Sequence, residues 1–303
     1  MRKLTTETND RDLADHSPSS DAVKDILQEI DKIPTLPTVV CKILEVVENP
    51  KSDVAELTRR IEMDQALTSR ILKIVNSSFY GFPRQISTVS QAVVVLGFNA
   101  VKSLALSATV IKLFSKSNKS EFDPVDFWKH SIGTGVIANM VGTRIHYPLP
   151  EECLVAGILH GIGKLVFDQY LHEQFMRAIE TAKKAKTSLQ RAERDLFGMD
   201  HCEAGALLAR KWKLPVHLEE SIRHYAAPEK TEFNKTLTAL VHLGDHVVQR
   251  IRFGGAGEPR APMLSSEAMK ILKIGQGDIS AIFQNVEAEL LKAEDIVESL
   301  VEQ

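Results

Sequence analysis

Apolar positions in this chain recur every three to four residues almost from end to end, with polar positions on the other side of each turn. That is the period of helices laid against a core. No segment alternates convincingly with period two, so the pattern predicts an all-α fold. Residues 21–32 read as a short amphipathic helix stopped by Pro34 and Pro37. Ser52 is placed to cap a helix with Leu57 and Ile61 inward. Asp64 is placed to cap the next, with Leu67, Ile71, Leu72 and Val75 inward. Asn76 to Gly81 is turn chemistry, and residues 88–96 and 99–114 form a helical pair split at Gly97. The polar run Ser115 to Ser120 marks a subdomain boundary.

Asp123-Pro124 opens the second half as a cap followed by proline at the first helical position. Residues 156–165, AGILHGIGKL, read as one buried helix carrying a histidine and three glycines. Each interior glycine costs about 1 kcal/mol against alanine, so the stretch implies either close packing or a site that holds a metal. A long charged helix is expected over 171–196. Asp200 and Glu203 suit a capping box for a helix ending at Trp212. After the break at Leu214-Pro215 another helix runs to His224. Residues 236–251 place Leu237, Leu240, Val241, Gly244, Val248 and Ile251 on one face, and 254–259 is a loop. In the last helix Ile279, Phe283, Val286, Leu290, Ala293, Val297 and Leu300 are spaced alternately four and three apart. That is a heptad seam, read as packing on its own chain rather than on a second copy.

Composition narrows the partners more than the fold. The 303 residues are 44% hydrophobic and 25% charged, with a net charge of −3. That balance argues against nucleic acid and against an anionic membrane surface. Cys41, Cys153 and Cys202 are far apart, which fits a reducing compartment and excludes a zinc ribbon. Residues 1–20 read as a frayed tail with no apolar signal region, and Ala92 to Phe114 is too interrupted to span a membrane. A cytoplasmic protein is expected.

Five residues on separate helices carry candidate chemistry: His130, His160, His201, His224 and Asp245. A metal site in a helical bundle is assembled in this way, one or two ligands from each helix. On a helical wheel Asp245 falls on the flank of its apolar face while His246 points away. Each also has an ordinary structural reading: a core histidine bonded to a carbonyl, a histidine beside a cap, a cation at a helix C-terminus, an acceptor for a neighbouring helix.

The ordered set of Ile33-Pro34-Thr35-Leu36-Pro37, Asp64-Gln65-Ala66-Leu67-Thr68, Ile71 to Ser77, Ala92 to Gly97, Phe127-Trp128-Lys129-His130-Ser131, Gly157 to Lys164 and Asp200 to Gly205 resembles the HDOD family. This is a regulatory branch of the HD superfamily of metal-dependent phosphohydrolases. The resemblance covers about residues 25–250. It implies an all-helical bundle, with an N-terminal helical subdomain over 21–116, an HD-like core over 121–250 and a C-terminal extension over 260–303. It also implies His130, His160, His201, His224 and Asp245 as metal ligands converging on one pocket.

The superfamily is named for a His-Asp pair whose Asp binds metal. Here the pair is His160-Gly161, so a carboxylate is missing. A two-metal hydrolytic site is then hard to build, whereas a single Fe, Zn, Ni or Mn ion is conceivable. No catalytic residue is assigned and no cofactor is required. The resemblance implies a non-catalytic signal-transduction module that binds a signalling protein or a small nucleotide ligand. The alternative is a metal-dependent phosphohydrolase or phosphodiesterase acting on a nucleotide or cyclic dinucleotide.

Overall fold

The computed structural model describes Ile26, Gln28 and residues 30–33, 35–48, 52–114 and 122–301. The expected tail over 1–20 and the linker over 115–120 lie outside the described residues. Within them every regular element is helical. The helices are α1 (Thr38–Glu48), α2 (Val54–Glu62), α3 (Gln65–Val75), α4 (Val89–Leu96) and α5 (Phe98–Leu113), followed by α6 (Pro124–Arg144), α7 (Pro150–Leu159) and α8 (Ile162–Tyr170). Then come α9 (His172–Ala185), α10 (Leu189–Phe197), α11 (His201–Lys211), α12 (Val216–His224), α13 (Lys235–Ile251), α14 (Ser266–Leu272) and α15 (Gln276–Leu300).

Local chemistry explains most of the boundaries. Asp64 accepts from the Leu67 N–H at 3.0 Å and starts α3. Asp123 accepts from Val125 N–H with Pro124 behind it, and Asp200 with Glu203 closes a reciprocal capping box on α11. Three expectations need correction. The cap of α2 is Asp53, which accepts from the Glu56 N–H at 2.8 Å, and not Ser52. The charged stretch 171–196 is two helices, α9 and α10, because Lys186 turns left-handed at φ 55° and Ser188 caps the restart. AGILHGIGKL is also two helices, broken at His160 and Gly161 where Gly161 takes φ −95°, ψ 11°.

The core is one contiguous buried cluster running from Ile26 to Leu300. Helix α6 lies at its centre, against α7, α13 and α15. Two glycines set how closely α6 and α7 approach: a Cβ on Gly157 would run into the Gly135 backbone, and one on Gly135 into the Leu154 carbonyl. Helix α5 is buried on nearly all sides, packing on α1 and α3 on one hand and α7 on the other. The heptad seam of α15 is spent on its own chain: Val286, Leu290, Ala293, Val297 and Leu300 are buried, and α15 rests on α6 and α3.

Candidate functional site

The closeness of α6, α7 and α13 brings three of the five candidate residues together. His130 comes from the middle of α6, His160 from the residue that ends α7, and Asp245 from α13. All three are buried, and one donor atom from each lies within 4.8 Å of the others. His130 Nε2 is 3.0 Å from Asp245 Oδ1, and His160 Nε2 is 3.5 Å from the same oxygen. Gly244 makes this possible, because a Cβ there would strike the Thr134 carbonyl and hold α13 away from α6.

The direction of the ring nitrogens is the informative detail. His160 Nδ1 lies 2.5 Å from the Gly157 carbonyl oxygen, which can only accept, so Nδ1 carries the proton. That leaves Nε2 as the nitrogen that faces the Asp245 carboxylate across the buried space. The Nε2 atoms of His130 and His160 approach Asp245 closely yet neither has an aligned hydrogen-bond partner. Burial alone would raise the Asp245 carboxyl, but the two imidazoles beside it more than reverse this and hold it well below the usual carboxylate range. Burial lowers His130. Two imidazoles and a carboxylate are the donor set of an N/O metal site. Donors about 2.0–2.1 Å from a tetrahedral ion stand roughly 3.3 Å apart, and separations of 3.0 and 3.5 Å fit that spacing. The two separations to Asp245 therefore fit one small transition-metal ion.

His201 and His224 are not part of this group. His201 is buried, but both its ring nitrogens are taken. Nδ1 lies 2.6 Å from Glu193 Oε2, and Nε2 lies 2.7 Å from the Tyr225 hydroxyl. Burial lowers the His201 imidazole to about 3 and pushes the Glu193 carboxyl well up, both favouring an uncharged pair. Tyr225 then stands edge-on to the His160 ring, with centroids 4.7 Å apart, and so joins the two clusters. His224 ends α12 half-buried, 3.9 Å from Glu220.

Four residues not marked by sequence reasoning complete the surroundings: Lys164, Glu193, Tyr225 and Glu258. Lys164 is 1% exposed and pairs with Glu258 at 3.2 Å. Burial would lower its ammonium, but the carboxylates of Glu258 and Asp245 more than offset that and raise it. Glu258 also accepts from the Leu189 N–H, tying the loop after α13 to α8 and α10. Glu193 left a trace in the sequence: it sits four residues from both Leu189 and Phe197, on the buried stripe of α10. Lys164, likewise, is a cation inside a helix whose other positions through Asp168 are all buried.

Position 161 decides how much of a hydrolytic site remains. A Cβ on Gly161 would lie 3.0 Å from Phe127 Cε2 and 3.4 Å from Cζ, so the Phe127 ring from α6 crowds the space a side chain would enter and would have to give by a few tenths of an ångström.

Comparison with known proteins agrees with this architecture. The HDOD domain family matches residues 33–228, and the chain belongs to that family. Asp245 lies beyond the matched span. A solved HDOD domain protein of unknown function from Geobacter sulfurreducens is 24% identical, with TM-score 0.77, covering 92% of this chain and 97% of its own. A candidate phosphohydrolase from Shewanella amazonensis SB2B is 25% identical, with TM-score 0.72 and coverage of 91% and 98%. A candidate signal transduction protein from Marinobacter aquaeolei VT8 is 20% identical, with TM-score 0.71 and coverage of 95% and 67%. The chain spans less than half the length of the curated relatives it matches. No helix among the described residues is long and apolar enough to cross a membrane.

Proposed function

We propose that this chain is a non-catalytic signalling module, acting by binding a protein partner or a small ligand, in which the His130–His160–Asp245 cluster would hold at most one metal ion. The observation that carries the reading is Gly161 under the Phe127 ring. A phosphohydrolase of this superfamily uses the carboxylate after the histidine, and here that position lacks the carboxylate and is crowded by the Phe127 ring. A bound ion would supply Lewis acidity or simply clamp three helices together, and three donors leave too few ligands for a pair of ions. The Lys164 ammonium adds a fixed positive charge beside Asp245, which further disfavours a second cation. The printed name of the Marinobacter relative points the same way.

A second reading, a metal-dependent phosphohydrolase, is favoured by the His160 Nε2 that faces Asp245 and by the name of the Shewanella relative. One experiment separates the two. Protein purified without a polyhistidine tag is analysed for metal. It is then assayed with a generic phosphodiester and a cyclic dinucleotide in added Mn²⁺ or Fe²⁺, alongside His160→Ala. The expected result is at most one ion per chain, reduced in His160→Ala, and no turnover in either protein. Turnover by the wild type that disappears in His160→Ala would overturn the non-catalytic reading. The residue pair at 127 and 161 gives a further check. Gly161→Asp alone is expected to leave metal stoichiometry unchanged, and Gly161→Asp with Phe127→Ala to raise it.

A further inference from the structure

The chain as a whole is acidic, yet one cleft concentrates positive charge. Its volume is about 910 Å³, and His130, one of the three clustered residues, lies on its wall. Lys183 and Lys186 line it from the end of α9, Arg250 and Arg252 from the end of α13, and Arg260 from the loop that follows. The one acidic residue on its wall is Glu258, whose carboxylate is already engaged by buried Lys164. All five basic side chains are exposed.

A cation at a helix C-terminus has an ordinary explanation in the helix dipole, and Lys186 and Arg252 both cap their helices in the left-handed conformation. The dipole does not explain why two helix ends and a loop arginine converge on one concave space. Gathering basic groups around one concave space raises its positive potential, and a cleft with low-dielectric walls focuses that field outward. The wall itself is firmly built. Gly255 N–H donates to the Asp126 carbonyl at 3.1 Å, and Gly254 passes so close to α6 that a Cβ would meet the His130 backbone nitrogen. Glu258 anchors the far side to α8 and α10.

We propose that this cleft binds a small molecule carrying a chain of phosphates. Guanidinium groups take phosphate oxygens in a bidentate fork, and three arginines around one cavity suit several phosphates better than one carboxylate. No Phe, Tyr or Trp lines the cleft, so a nucleobase finds no ring on which to stack and recognition falls to the phosphates. The site lies over His130, so a bound ligand would cover the entrance to the His–His–Asp cluster. The inference rests on the reading of this chain as a binding module and names the class of ligand it takes.

The test is calorimetric titration of the full chain with inorganic tripolyphosphate and, in parallel, with ATP, while released phosphate is assayed in the same samples. Both are repeated with Arg250→Glu/Arg252→Glu and with Arg59→Glu, an exposed arginine on α2 that the cleft does not include. The expected result is saturable binding of one tripolyphosphate, at least tenfold weaker in the double variant, unchanged in Arg59→Glu and weaker as salt is raised. ATP is expected within about threefold of tripolyphosphate, since its base adds nothing. No saturable binding, an equal loss in Arg59→Glu, or ATP binding more than thirtyfold tighter overturns the proposal. Phosphate release without those failures overturns the non-catalytic reading instead and leaves the site standing.

Discussion

Two buried histidine clusters sit side by side in this molecule, joined through Tyr225, and they differ in one respect. At His201 both ring nitrogens are bonded, to Glu193 and to Tyr225. At His130 and His160 the outer nitrogens face a carboxylate with no aligned bond. The first cluster is finished by the protein itself and behaves as structure. The second leaves two imidazole nitrogens and a carboxylate facing one another, the donor set on which the proposed metal site rests. Residue type and burial do not distinguish the two; the tautomer forced by a single carbonyl does.

The largest expected effect comes from pulling the clusters apart. Gly163 on α8 lies against the His201 carbonyl, and a Cβ there would clash with backbone that cannot yield. Gly163→Ala is expected to cost at least about 3 kcal/mol, read from the denaturant midpoint at constant slope. His201→Leu comes next. It removes the imidazole from the Tyr225 hydroxyl and from the Glu193 carboxyl, which keeps only the backbone N–H of residue 201, and the two lost buried bonds cost about 2–4 kcal/mol together. His160→Leu removes only the bond to the Gly157 carbonyl, so its expected cost is about half as large. Equal losses in the two variants would erase the distinction between the clusters.

A smaller effect follows from pH. The folded pKa of His201 is lowered to about 3, whereas an unfolded histidine titrates near 6.5. Between those values the unfolded chain binds a proton that the folded chain does not, so stability falls as pH drops from about 6.5 towards 3 and is level above. The contribution of this residue is at most about 1.4 kcal/mol per pH unit. Unfolding midpoints measured from pH 7 to 4 should fall less steeply in His201→Leu than in the wild type. The smallest effect is Gly161→Ala. The ring of Phe127 has to give by a few tenths of an ångström, and the change in stability is expected to stay within about 1 kcal/mol.

The helices were legible in the sequence wherever a side chain announces a boundary. Asp64, Asp123-Pro124 and the Asp200–Glu203 pair all act as expected. Breaks made by the backbone alone left no such mark. Lys186 turns left-handed without being glycine, and His160-Gly161 interrupts an otherwise unbroken apolar run. At the site, the order of His130, His160 and Asp245 along the chain was enough to bring them together. His201 and His224 stand in the same order, but order does not fix which way a ring points. What turned His201 aside is Glu193, a carboxylate hidden on the buried stripe of α10, and its partner Tyr225 lies just past the end of α12. Glu258 came from a loop with no periodicity to read.

The crossing of α6 and α7 bears on how this chain can change over time. Where a large side chain fills a contact, a bulkier residue on one helix can be offset by a smaller one on the other. At Gly157 the obstacle is the Gly135 backbone, and at Gly135 it is the Leu154 carbonyl. Neither obstacle is a side chain that could be made smaller. A mutation at either position therefore has no local suppressor: a second-site revertant would have to move a whole helix, and with it either His130 or His160.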